Sequence, residues 1–169
     1  VMSDRARVIT FGLAPSADFR ASEIQLEADR TRFVVDYPGG RLRLVTRLLG
    51  PFNIRNVLAA LAIAHANGMP VEKAAGYLVD FDGVRGRMER IETGLPFNVV
   101  IDYAHTEAAY DKALAMLREI TPNRIITVYG CGGNRDRSQR PLVTRTVLAG
   151  SDHAIATADN PRNEAIEMI

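Results

Sequence analysis

Five short runs in this 169-residue chain carry side chains that could do chemistry, and each falls where a regular apolar pattern starts or stops. The densest is Gly-Cys-Gly-Gly-Asn-Arg-Asp-Arg at 130–137, which follows Ile125, Ile126, Val128 and Tyr129. Glycines there permit positive φ or a close approach of backbone to a ligand, and Arg135 is suited to an anion. Asp102, Tyr103 and His105 follow the apolar stretch 97–101. An acid so placed can take a ribose hydroxyl pair, a metal-bound water or a helix N-terminus. Asp159, Asn160, Pro161 and Arg162 follow 153–158; Asn160 and Pro161 read as the cap and first residue of a helix. Arg162 would then stand in a first turn, where the macrodipole opposes a cation unless an anion meets it. Gly86-Arg87-Met88-Glu89 sets a two-pronged donor beside a bend, suited to phosphate. In Phe52-Asn53-Ile54-Arg55-Asn56, Asn53 reads as an N-cap, while the carboxamide of Asn56 could meet the edge of a purine. Solvated loop charges and ordinary caps would carry the same residues. Neither G-x-x-x-x-G-K-[ST] nor G-x-G-x-x-G occurs, so the glycines alone identify no nucleotide.

Two kinds of element must position these runs. Residues 7–48 read as an antiparallel β segment, with Leu42, Leu44 and Thr46 alternating against Arg41, Arg43 and Arg47, and a turn at Pro38-Gly39-Gly40. A helix over 52–67 follows, with Ile54, Val57, Leu58, Leu61 and Ala62 on one face and Gly68 at its end; a shorter one over 71–78 completes a helical hairpin. Residues 81–92, with two glycines and little periodicity, read as a linker. Beyond it the rhythm is strand, helix, strand, helix, strand: strands at 97–102, 124–130 and 153–158, helices at 108–120 and 141–149, and a further helix beginning after Pro161. Alternation of this kind predicts a partial Rossmann-like parallel α/β domain, with buried strands and ligands outside their carboxyl ends.

Composition narrows the partners. A net charge of +1, with 47% hydrophobic and 24% charged residues, describes a globular chain with no general attraction to nucleic acid or to a membrane surface. One cysteine and three scattered histidines give no disulfide and no zinc-ligand spacing. The start, Val-Met-Ser-Asp-Arg-Ala-Arg-Val, lacks the apolar core of a signal peptide. A cytoplasmic location is expected. Both ends read as cuts within a longer protein.

Taken in order, GPFNIRNVLAALA, GRME, DYAHT, GCGGNRD and DNPR resemble the Mur ligases, specifically those that add the third residue of the peptidoglycan stem peptide. The resemblance runs from about Phe11 to Ile169. It implies that residues 1–87 are the C-terminal part of a central ATP-binding domain and 88–169 the first part of a Rossmann-like, amino-acid-binding domain. It implies ATP-driven amide formation, in which positive charge must meet each developing anion. By resemblance Asn56 would contact adenine, Arg87 the ATP phosphates and Asp102 the ribose, with Tyr103 and His105 near the nucleotide. Arg135 and Asp159, Asn160, Pro161 and Arg162 would hold the incoming amino acid. Members with DNPR resemble enzymes that add meso-diaminopimelate to the UDP-N-acetylmuramoyl dipeptide, and a buried arginine there would reject lysine by being left unpaired. The family's P-loop and the carbamylated lysine that helps hold Mg2+ are expected upstream of Val1, so the 169 residues alone are expected to be inactive. Glu107 stands where the family usually has proline, which bears on the local helix start. The competing reading is a non-catalytic Rossmann-like module that binds a nucleotide or metabolite.

Overall fold

The computed structural model describes residues 7–169, so most of the stretch read for a signal peptide lies outside the described residues. The chain divides into two compact units, the first ending at Arg85 and the second spanning Gly86–Ile169.

The first unit is a four-stranded sheet in the order β1 (Phe11–Gly12), β2 (Phe19–Leu26), β3 (Thr31–Tyr37) and β4 (Gly40–Thr46). β2, β3 and β4 pair antiparallel, but β1 joins β2 in parallel, so the sheet is mixed rather than antiparallel throughout. The Asp18 carboxylate makes this possible by accepting from the Thr10 backbone and hydroxyl at 2.8 and 2.7 Å, which closes the loop between the two strands. Tyr37 pairs with Gly40 across Pro38 and Gly39, the latter at φ 104; proline followed by positive-φ glycine is the order a type II turn uses.

Helices α1 (Pro51–Ala66) and α2 (Val71–Val79) lie on this sheet. All five apolar side chains expected on one face of α1 are buried, against Phe19, Phe33, Val35 and Leu44 of the sheet and Val71, Ala74 and Ala75 of α2. Asn53 is not the cap. Gly50, at φ 89, holds that position without a side-chain bond, and Pro51 opens the helix. The buried Asn53 carboxamide instead donates to the Leu49 carbonyl at 2.8 Å and accepts from Asn56 Nδ2 at 3.0 Å. A missing cap costs about 1 kcal/mol, whereas each buried Val, Leu or Ile contributes roughly 1.5–3 kcal/mol, so packing decides the fate of α1. At its far end Gly68, at φ 80, donates to the His65 carbonyl, the expected glycine stop.

The second unit begins inside the stretch read as a linker, because Glu89–Ile91 forms a strand, β5, paired antiparallel with β6 (Val99–Ile101). The turn-forming Gly94 and Pro96 fold the chain back and give β6 its own predecessor as partner. After β6 come α3 (Glu107–Ile120), β7 (Ile126–Tyr129), α4 (Gln139–Gly150) and β8 (His153–Ala156). β7 and β8 pair in parallel, as the alternation implied. Among the described residues β6 does not join them, so the expected single parallel sheet is present as two separate pairs.

The strands are shorter than their apolar runs, and β7 is covered on one face only. Ile125 and Tyr129 pack with Leu114 of α3 and Val143 and Val147 of α4, whereas Ile126 and Val128 are exposed. The expectation of a buried strand therefore holds for one face: α3 and α4 pack on each other, and both contribute to the cluster on that side. Two helix starts also differ. α4 begins at Gln139 rather than Pro141, after the Asp136 carboxylate has accepted from the backbone and hydroxyl of Ser138. No α-helix follows Pro161; a turn leads to a single 3-10 turn at Ile166–Met168.

Candidate functional site

The second unit gathers its chemistry-bearing residues into two clusters. The first joins the start of the unit to the end of β6. Met88, held at φ 47, donates its backbone N–H to Asp102 Oδ2 at 2.9 Å. Gly86 donates to Glu89 Oε2 at 2.7 Å, closing a tight turn around Arg87. The Arg87 guanidinium lies over the Tyr103 ring at 5.0 Å, and Tyr103 in turn meets the His105 ring at 5.0 Å. His105 Nδ1 lies 3.0 Å from the Tyr103 carbonyl. Four predicted nucleotide contacts, Arg87, Asp102, Tyr103 and His105, thus come together.

Asp102 caps no helix, and that alternative is settled by Thr106. Its hydroxyl accepts from Ala109 N at 3.3 Å and starts α3 at Glu107, whose charge favours the first turn in place of a proline. One Asp102 oxygen is engaged by Met88, and the other has no bond among the described residues. Asn56 lies in the first unit, exposed on α1, with its amide turned to Asn53.

The second cluster joins the Gly-rich turn after β7 to the loop after β8. Gly133 N donates to the Asn160 carbonyl at 2.9 Å, Asn163 N to Asn134 Oδ1 at 3.0 Å, and the Arg162 guanidinium to the Gly133 carbonyl. The glycines serve close approach rather than positive φ. A Cβ on Gly133 would stand 2.6 Å from the Pro161 carbonyl carbon, and one on Gly130 would stand 2.7 Å from the Thr157 oxygen. Arg162 occupies no helical turn, so the dipole argument for an anion there falls. Asn160 Oδ1 accepts from Arg162 N at 3.1 Å, and Arg162 sits at φ 49, which together turn the chain out of a helix.

Charge in this cluster is unevenly spent. Arg137 and Arg140 both pair with Glu164, and Asp136 is held by Ser138. Glu164 is lowered to about 2, chiefly by the hydrogen bond from Arg140 and then by the one from Asn134 N. Arg135 is exposed and has no partner among the described residues, and Arg162 spends one donor on a carbonyl. A Cβ on Gly132 would lie 3.0 Å from Arg162 Nη1 and 3.7 Å from Arg135 Cγ, so both side chains border the same glycine. The Asp159 carboxylate, exposed and also unbonded, lines a cleft of about 310 Å³ with Gly130, Cys131 and Thr157. The cation in the lining of that cleft is Arg140, already paired with Glu164, while Arg135 and Arg162 border Gly132 next along the turn.

Three contributors escape a sequence reading. Glu164 lies beyond the motif it ties down. Asn134, at φ 53, is marked only by the tolerance of asparagine for left-handed backbone. Tyr110 is signalled by its place one turn before Leu114, on the face of α3 that packs against β7. Its phenol is pushed up first by burial and then by Cys131, Asp159, Tyr129 and Asp102, and its ring meets that of Tyr129 edge-on at 6.4 Å. Burial raises the Cys131 thiol too, against the opposing pull of Arg140. Among the described residues no group of three His, Cys, Asp or Glu side chains could hold a metal ion, and no helix is long and apolar enough to cross a membrane.

A parallel βαβ pair whose strand ends meet an arginine-bearing Gly-rich turn defines a Rossmann-like α/β unit. Family models narrow this: one described as "Mur ligase, glutamate ligase domain" matches residues 86–169, and one described as "Mur ligase middle domain" matches residues 2–64. The chain belongs to the Mur ligase family, as its five motifs suggested. It is 42% identical over 159 residues to a "UDP-N-acetylmuramyl-tripeptide synthetase" of Roseiflexus sp. (strain RS-1), covering 94% of this chain and 31% of that protein. It is 41% identical over 167 residues to a "UDP-N-acetylmuramoyl-L-alanyl-D-glutamate--2,6-diaminopimelate ligase" of Thermosynechococcus vestitus, covering 98% and 34%. A solved structure of a ligase with that second name superposes with a TM-score of 0.69 at 34% identity, over 95% of this chain and 33% of the other. The chain spans about a third of the length of the curated relatives it matches.

Proposed function

We propose that the protein to which this chain belongs is an ATP-dependent ligase of the cytoplasm that joins meso-diaminopimelate to UDP-N-acetylmuramoyl-L-alanyl-D-glutamate in peptidoglycan synthesis. Residues 1–87 are then the end of its ATP-binding domain and 88–169 the start of its amino-acid-binding domain. The observation that carries this reading is the pair of under-compensated cations, Arg135 and Arg162, set around Gly132 beside an unbonded Asp159. Lysine, with one carboxylate, needs fewer cations. meso-Diaminopimelate has a carboxylate and an ammonium at each end. Arg162 takes the distal carboxylate with its remaining donors, Asp159 and Asn160 take the neighbouring ammonium, Pro161 shapes the loop between them, and Arg135 takes another part of the zwitterion.

The first cluster fits a nucleotide on its own chemistry. Asp102 keeps one carboxylate oxygen for a ribose hydroxyl, the exposed Arg87 guanidinium has its donors for phosphate, and Tyr103 and His105 offer rings beside them. Asn56 would meet adenine. ATP supplies the phosphoryl group that activates the substrate carboxylate. Arg87 is steadied by the Tyr103 face until the phosphates take it, and Asp102 holds the turn that carries it. No residue described here is assigned to Mg2+.

The reading is tested by incubating the full-length ligase with ATP, the UDP-linked dipeptide and meso-diaminopimelate, and following tripeptide and ADP by chromatography. Stoichiometric product is expected. No amide product under conditions where the protein binds ATP would overturn it.

A further inference from the structure

We infer that Glu164 is a positioning residue for the amino-acid site, the buried post to which the loop 159–162 is tied. The inference rests on the reading of that site given above. Its side chain is only 8% exposed, and Arg140, 12% exposed, donates to Oε2 at 2.6 Å. Asn134 N donates to the same oxygen at 3.0 Å, and Arg137 Nη2 lies 2.7 Å from Oε1. One carboxylate therefore holds the Gly-rich turn, the approach to α4 and the first turn of α4 itself, and it stands two residues after Arg162. The same junction contains two non-glycine residues in left-handed backbone, Asn134 at φ 53 and Arg162 at φ 49. Such conformations cost free energy and persist where surrounding bonds over-determine them; here the bonds are those from Glu164, with Asn163 N to Asn134 Oδ1 alongside.

The carboxylate has a second effect, on charge. Four guanidiniums lie along the turn and loop, at Arg135, Arg137, Arg140 and Arg162, and Glu164 occupies two of them. Only Arg135 and Arg162 stay available to an incoming carboxylate. Removing the Glu164 charge would release Arg137 and Arg140 as competing cations and free the loop that aims Arg162. Affinity for the amino acid should suffer first, because none of Arg87, Asp102, Tyr103 and His105 is bonded to Glu164.

The test uses the full-length ligase with Glu164→Gln, which keeps the side chain's shape and removes its charge, beside Arg162→Ala. We expect the KM for meso-diaminopimelate to rise about tenfold or more in Glu164→Gln, the scale of one lost charge-assisted bond, with the KM for ATP and the KM for the UDP-dipeptide held while the melting temperature falls as the pairs to Arg137 and Arg140 are lost. A purely structural role would move all three KM values together, and that result overturns the inference. If Arg162→Ala raises the amino-acid KM and Glu164→Gln does not, the inference fails while the reading of the site stands. If Arg162→Ala has no effect, the reading fails and takes the inference with it. Should Glu164→Gln not fold, Glu164→Asp keeps the charge but shortens the reach to Asn134 N and Arg140, and should still raise the amino-acid KM selectively; an unchanged KM there overturns the proposal.

Discussion

Gly133→Ala isolates the contact between the Gly-rich turn and the loop after β8. The new Cβ would stand 2.6 Å from the Pro161 carbonyl carbon and closer still to its oxygen, where ordinary contact begins near 3.4 Å. Pro161 must therefore retreat by about 0.8 Å at its carbon, and the obstructing atoms are backbone, which cannot rotate away. That retreat pulls on the Gly133–Asn160 hydrogen bond of 2.9 Å and displaces Arg162 one residue on. Misplacing a binding group by about 1 Å costs on the order of 100-fold in rate, while overpacking at one site costs roughly 1–3 kcal/mol of stability. In the full-length ligase, kcat/KM for the amino acid should fall about 100-fold, with the KM for ATP little changed. Gly76→Ala in α2 is the control, because its Cβ would meet nothing within 4 Å. Steady-state kinetics varying each substrate in turn, with thermal melts, reads both variants. Wild-type kcat/KM in Gly133→Ala would refute the close-approach account of this glycine.

Three further outcomes follow from particular contacts. Thr106→Ala removes the hydroxyl that accepts from Ala109 N, and should cost about 1 kcal/mol in denaturant unfolding; no loss would mean that α3 is held by packing alone. Glu164 is depressed from 4.5 to about 2, so its stabilising effect is present above pH 4.5 and is lost as pH falls through about 2. Glu164→Gln should flatten that part of the acid-unfolding curve, and an unaltered curve would contradict the assignment. Arg87→Ala should lower kcat more than it raises the amino-acid KM, because a phosphate contact strengthens as charge develops; an unchanged kcat would return Arg87 to a surface cation resting on Tyr103.

Local pattern made much of this fold legible. The five-residue stripe on α1 and the alternation in β4 have periods that only one burial pattern satisfies, and both faces are buried as read. The glycine-rich turn was legible as a crowded place, but which backbone crowds it depends on β8, far away in sequence. Asn53 was misread because a good capping residue stood near a helix start, and the position went to Gly50, whose positive φ no side chain requirement announces. The helix expected after Asn160 failed for a tertiary reason: bonds to Gly133, Asn134 and Arg140 draw the chain across the turn. β6 shows the same limit, since an apolar run does not name its partner. Of the site residues, the four from 87 to 105 converge because Asp102 reaches back to Met88, a contact no spacing rule foretells.

Arg162 is exposed, not buried as a lysine-rejecting arginine was expected to be, and that moderates the discrimination it can supply. An unpaired guanidinium in solvent loses one charge-assisted bond, about 1.5–3 kcal/mol, or roughly 10- to 100-fold, rather than the larger penalty of a dry, orphaned charge. The most direct measurement is the ratio of kcat/KM for meso-diaminopimelate to that for L-lysine, in the full-length ligase and in Arg162→Ala. A ratio of roughly 10 to 100 or more from this contact, collapsing toward unity in the variant through the KM for meso-diaminopimelate, is the expected result; equal use of lysine by the unmodified enzyme, or a ratio untouched by Arg162→Ala, would contradict it.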